Sequence, residues 1–100
     1  MNQMQAMIQQ AQRMQRELKK AQEALAEKEF TISKNGMVTV VVLGSKVVKS
    51  IDVDKDAFDA ENKEMVEEAI VLAINEANEK IDAEKAEIEE KITGRAGGLF

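Results

Sequence analysis

The sequence predicts an α+β chain built as a long helix, a three-stranded antiparallel β-meander and a second long helix. Three observations predict it. Residues 1–27 repeat apolar side chains at alternating three- and four-residue intervals, with no Gly or Pro. Asn35-Gly36 and Gly44-Ser45 then divide a run of β-branched residues into three short pieces. Beyond Asp59 an apolar stripe returns at helical spacing and passes into dense Glu and Lys.

The first helix, about residues 2–27, carries Met4, Met7, Ala11, Met14, Leu18, Ala21 and Leu25 as a narrow heptad seam. Such a seam is the pattern of one helix lying along another. Three strands follow within about residues 29–53. Phe30-Thr31-Ile32-Ser33 alternates apolar with polar, and Asn35-Gly36 supplies two residues that tolerate positive φ, as a tight hairpin requires. Met37 to Leu43 is apolar on both faces except at Thr39. The third strand, Val47 to Val53, places Val47, Ile51 and Val53 on one face if it alternates regularly.

The second helix spans about residues 61–92, with Gly94 as its C-cap. Met65, Val66, Ala69, Ile70, Leu72, Ala73, Ile74 and Ala77 make its first half broadly apolar, suited to lie on the sheet. Only Ile81, Ile88 and Ile92 continue the stripe, so the second half reads as an arm. Residues 1–93 are expected to form one domain, followed by a flexible Gly-rich tail over 94–100.

Composition narrows the chemistry. The 100 residues include no Cys, His, Trp or Tyr. Thiolate metal sites, disulfides and the usual general base near neutral pH are therefore absent. Ser33, Ser45 and Ser50 have no His to activate them, and the glycines form no phosphate loop leading into a helix. Asp52, Asp54 and Asp56 match the first ligands of a calcium loop, but Ala57 stands where Gly is needed and Lys63 where Glu is needed. These acids read instead as turn and helix caps. The sequence thus predicts no catalytic residue, no metal and no cofactor. Gln and Arg interrupt every N-terminal apolar run, and the VVVL segment is too short to span a bilayer. A cytoplasmic protein is expected.

Length argues for two copies. Helices of roughly 40 and 48 Å exceed strands of roughly 23 Å, so both helices must overhang the sheet. The apolar seam nevertheless continues into the overhang at Met4 and Met7. The middle strand, apolar on both faces, offers Met37, Val38, Val40, Val41, Val42 and Leu43 as a dimer interface. A homodimer is expected.

Charge is distributed unevenly. Net charge is −5, yet residues 1–27 sum to +1, residues 28–53 to +2 and residues 54–92 to −9. Opposite the seam of the first helix, Gln9, Arg13, Arg16 and Lys20 fall within an arc of roughly 60°. Arg and Gln on a projecting helix suit phosphate and base-edge contacts. An ordinary solvated face is the other reading, since Arg13–Glu17 and Lys19–Glu23 are spaced as helical ion pairs. The lack of Tyr and Trp disfavours single-strand binding by base stacking.

Taken in order, MQAMIQQAQRMQRELKKAQEALAE, NGMVTVVVLGSKVVKSIDVD, KEMVEEAIVLAINEANEKI and the final GGLF resemble the YbaB/EbfC nucleoid-associated proteins of bacteria. The resemblance covers essentially the whole chain. It implies a dimeric, tweezer-like α-β-β-β-α assembly that binds double-stranded DNA largely without sequence preference. A nucleoid location and a role in chromosome organisation or gene regulation follow from it. Carried onto this chain, DNA contact falls to Gln9, Gln12, Arg13, Arg16, Lys19 and Lys20, and to Arg95 in the tail. This chain lacks the Gly-rich lead and the late Pro of many members, and its second helix is more acidic than a DNA-facing arm suggests. A protein-interaction adapter, gripping a partner through the Met seam and the acidic helix, is the alternative reading.

Overall fold

The computed structural model describes residues 2–94. Helix α1 (Gln3–Glu27) starts where the Asn2 side chain caps it, the Gln5 backbone N–H donating to Asn2 Oδ1 at 2.8 Å. Strands β1 (Glu29–Lys34), β2 (Val38–Leu43) and β3 (Val48–Val53) form one antiparallel sheet in the order β1-β2-β3. Two 3-10 turns, Lys55–Ala57 and Ala60–Asn62, lead into helix α2 (Lys63–Gly94). The meander between two long helices matches the expected architecture.

The turns have identifiable causes. Asn35 and Gly36 take φ of 56° and 65°, the left-handed geometry of the β1–β2 hairpin. In the β2–β3 turn it is Lys46, not Gly44, that has positive φ, at 74°. Gly44 serves close approach instead: a Cβ there would lie 1.8 Å from the Leu25 carbonyl oxygen. Its N–H donates to the Lys28 carbonyl at 2.9 Å, and the Ser45 N–H donates to Ala26 at 3.2 Å, so the turn is tied to the end of α1. The acids after β3 are caps: Asp54 accepts from the Asp56 N–H and Asp59 from the Glu61 N–H.

The core lies between one face of the sheet and the first half of α2. Cross-strand partners share a face, and Phe30–Val42 and Ile32–Val40 are such pairs. These four, with Val38, are buried against Ala69, Ala73, Ala77 and Ile81. Alanines let helix and sheet approach closely, and Ile81 fills the space beside Leu25, where α1 joins the same core.

From there α1 and α2 run antiparallel away from the sheet. Met14 lies as far before Leu25 as Ile92 lies beyond Ile81, and both are buried. The result is elongated, 71 × 19 × 14 Å. As the lengths require, the helices overhang the sheet. Met4, at 70% exposure, Met7 and Ile8 form an uncovered apolar stripe near the start of α1.

Two expectations are corrected here. Val38, Val40 and Val42 were expected at a dimer interface, but α2 of the same chain seals them, Val40 to 0% exposure. Period-two alternation points them all to one face, and one helix suffices to cover it. Met37 packs against the edge of the same core, while Val41 and Leu43 are half-buried on the opposite face. The second correction concerns β3. Val48, rather than Val47, shares a face with Ile51 and Val53, because the register shifts between Val41 and Val42. Val41 pairs with Ser50 and Val42 with Val48, so Lys49 is the extra residue of a β-bulge.

Candidate nucleic-acid interface

The basic face of α1 is set by helix geometry. Gln9, Arg13, Arg16 and Lys20 are separated by four, three and four residues, which keeps them in one row opposite Met14, Leu18 and Leu25. Gln12 and Lys19 flank the row. All six side chains are exposed, and the row extends roughly 16 Å along the helix. Arg95 lies outside the described residues, as does the expected flexible tail apart from Gly94, which is the last residue of α2. Leu18 and Ala21 are half-buried and Leu25 is buried, so packing against α2 fixes which side of α1 faces outward.

The acidic helix has its own neutralising partners. Three lysines from the sheet and its connections reach α2: Lys28 to Glu84 at 2.6 Å, Lys34 to Glu76 at 2.8 Å and Lys46 to Asp82 at 2.8 Å. Each bridge is partly solvent-exposed and individually of small energy. Collectively they cancel part of the −9 carried by residues 54–92. The hydrogen bond from Lys34 holds the Glu76 carboxyl below the ordinary carboxylate range; desolvation opposes it, and the charges of Lys34 and Lys80 assist. The acids of α2 are thus drawn toward the sheet's lysines, while the cations of α1 occupy a separate helix.

A face of cations and amides on a protruding helix can do one chemical task well: it can follow a line of phosphates. Among the described residues, no group of three His, Cys, Asp or Glu side chains is placed to hold a metal ion, and no helix is long and apolar enough to cross a membrane.

A family model described as the YbaB/EbfC DNA-binding family matches residues 1–96. The chain belongs to that family. Its similarity to curated nucleoid-associated proteins runs through most of both sequences. A nucleoid-associated protein of Mycoplasmopsis pulmonis is 43% identical over 86 residues, covering 86% of this chain and 85% of the relative. One from Enterococcus faecalis is 40% identical over 85 residues, covering 84% and 82%. One from Acetivibrio thermocellus is 39% identical over 94 residues, covering 93% and 83%. Family membership and the α-β-β-β-α order agree with what the sequence predicts.

Sequence reasoning missed one surface. Val48 and Ile51 are large, apolar and exposed on one face of β3, and Phe58, in the turn region after it, is exposed as well. Regular alternation hid Val48, since the bulge at Lys49 is not marked by Gly or Pro. Phe58 carried a signal that was available: a lone aromatic in an acidic turn region, in a chain with only three aromatics.

Proposed function

We propose that this chain is a non-enzymatic, DNA-binding nucleoid protein of the bacterial cytoplasm that acts as a homodimer. The exposed basic face of each α1 grips duplex DNA with little sequence preference. Gln9, Gln12, Arg13, Arg16, Lys19 and Lys20 make the contacts, joined by Arg95 from the tail. Binding of this kind would serve the regulation of gene expression.

The observation that carries this reading is the row from Gln9 to Lys20, exposed on a helix that leaves the sheet behind. Contacts of this kind address the backbone, which carries no direct sequence information, so weak sequence preference follows from the residue types. Family membership supports DNA as the ligand.

The test is a gel-shift titration across salt concentrations. Three cations per chain touching phosphates make six per dimer, giving a slope of log affinity against log salt near roughly −5. Replacing Arg13, Arg16 and Lys20 with Ala is expected to flatten the slope and weaken binding on every sequence equally. Binding of unchanged strength and slope would exclude this face.

A further inference from the structure

We infer that the segment after α2 continues along α1 of the same chain and seats Leu99 and Phe100 on the bare apolar stripe of Met4, Met7 and Ile8. The inference is independent of the DNA and homodimer readings.

The stripe is bare because its cover stops. From Leu25 back to Met14 the α1 seam lies against α2 and is buried or half-buried, Leu18 and Ala21 included. Ala11 is still half-buried, whereas Met4, Met7 and Ile8 are 70%, 48% and 51% exposed. With Gln3 and Ala11 these three line an open groove. The spacing of the seam does not change there, since Met7 and Met4 carry it on at the same alternating intervals. What changes is α2, whose last residue is Gly94.

The lengths agree. Leu25 and Ile81 meet at the base of the two helices. Met14 and Ile92 lie equally far from that level, one on each antiparallel helix, and both are buried. Gly94 therefore stands level with Gln12, and Met7 and Met4 lie roughly 8 and 12 Å beyond it. Leu99 and Phe100 are the fifth and sixth residues past Gly94. A chain of that length spans up to roughly 17–21 Å, so both can reach the stripe with slack. Gly97-Gly98 leaves the backbone open to whatever dihedral angles the approach requires.

The chemistry agrees as well. Residues 95–100 lie outside the described residues, and after Arg95 they hold no charged side chain. Residues 1–12 hold none either, so no like charges oppose the contact. Phe100 is one of three aromatics in the chain, and a ring beside a thioether sulfur is a favourable pairing. Other occupants fit less well. A stable pair of proteins uses roughly 20–30 residues a side, far more than one short row supplies to a second copy. A tethered segment needs less surface, because its effective concentration is roughly millimolar. Duplex DNA meets no cation here, since the Gln9–Lys20 row lies on the opposite side of α1. Seated on the stripe, Leu99 and Phe100 cap an apolar end that is otherwise open to unspecific association.

The test follows the methionine methyl groups of the full, isotope-labelled chain by NMR, with signals assigned through Met4→Leu and Met7→Leu. The Phe100 ring is expected to displace the Met4 and Met7 signals in wild type. The double variant Leu99→Ser/Phe100→Ser should return both to the position of a solvent-exposed methionine. Met65, on α2 and exposed to the same degree as Met7, is the internal control and should not move. Hydrogen peroxide gives a second readout: Met4 and Met7 should form sulfoxide several-fold faster in the double variant, with Met65 unchanged. Equal signals and equal rates in the two proteins overturn the inference. Labelled double variant mixed with excess unlabelled wild type should keep its solvent-exposed signals. Recovery of the displaced positions in that mixture would assign the stripe to the tail of a neighbouring copy and overturn the same-chain placement.

Discussion

Gly44→Ala isolates the joint between the sheet and α1. The added Cβ would lie 1.8 Å from the Leu25 carbonyl oxygen and 2.6 Å from its carbon. Non-bonded carbons prefer about 3.5–4 Å, so the turn must retreat by more than about 1 Å. That retreat stretches the hydrogen bonds from Gly44 to Lys28 and from Ser45 to Ala26 beyond useful length. At about 1 kcal/mol for each bond, and a similar amount for loosened packing around Leu25, the cost is about 2–4 kcal/mol. For a chain of this size the urea midpoint should fall by about 2 M, measured at one fixed protein concentration. Gly36→Ala is the control. It has φ of 65° but no atom within 4 Å of the added Cβ, so only backbone strain of about 1 kcal/mol is expected. Equal midpoints for the two variants would refute the claim that Gly44 is required for close approach.

Two further perturbations test local causes. Lys46→Gly should raise the midpoint by an amount corresponding to about 1 kcal/mol, because relief of positive φ outweighs an exposed bridge to Asp82; a lower midpoint would reverse that order. Glu76→Gln should destabilise the chain at neutral pH and lose its effect in acid. A carboxyl held below its unfolded pKa contributes stability above that pKa and loses it as pH falls through the folded value. Urea midpoints of wild type and variant should therefore converge as pH drops below the ordinary carboxylate range, and a constant gap would sink the assignment.

Much of the architecture was readable from periodicity. The Met14–Leu25 seam needs a partner helix and has one in the second half of α2. Asn35-Gly36 marked a hairpin because few other residue pairs accept its dihedral angles. The order of elements and the family likeness both survive, since each depends on patterns spread over many residues. What could not be read was which neighbour covers an apolar face. Val38, Val40 and Val42 look alike whether α2 or a second chain lies over them. A bulge is equally silent: Lys49 enters β3 without any residue that announces it, and moves Val48 to the side assigned to Val47. Gly44 was read as a turn glycine, whereas its need comes from Leu25, a residue distant in sequence. For the basic row, spacing gave the geometry, and exposure in the fold gave the side that faces outward.

The pairing of α1 with the far half of α2, buttressed by Met14 and Ile92, makes the 71 Å molecule a shaft anchored at its sheet. A small tilt of the strands is magnified along the shaft and becomes a wide swing at Met4. Shape at the free end is therefore governed from the base, where Leu25, Gly44 and Ile81 meet. Substitutions that merely loosen that joint should alter reach and aim before they unfold anything.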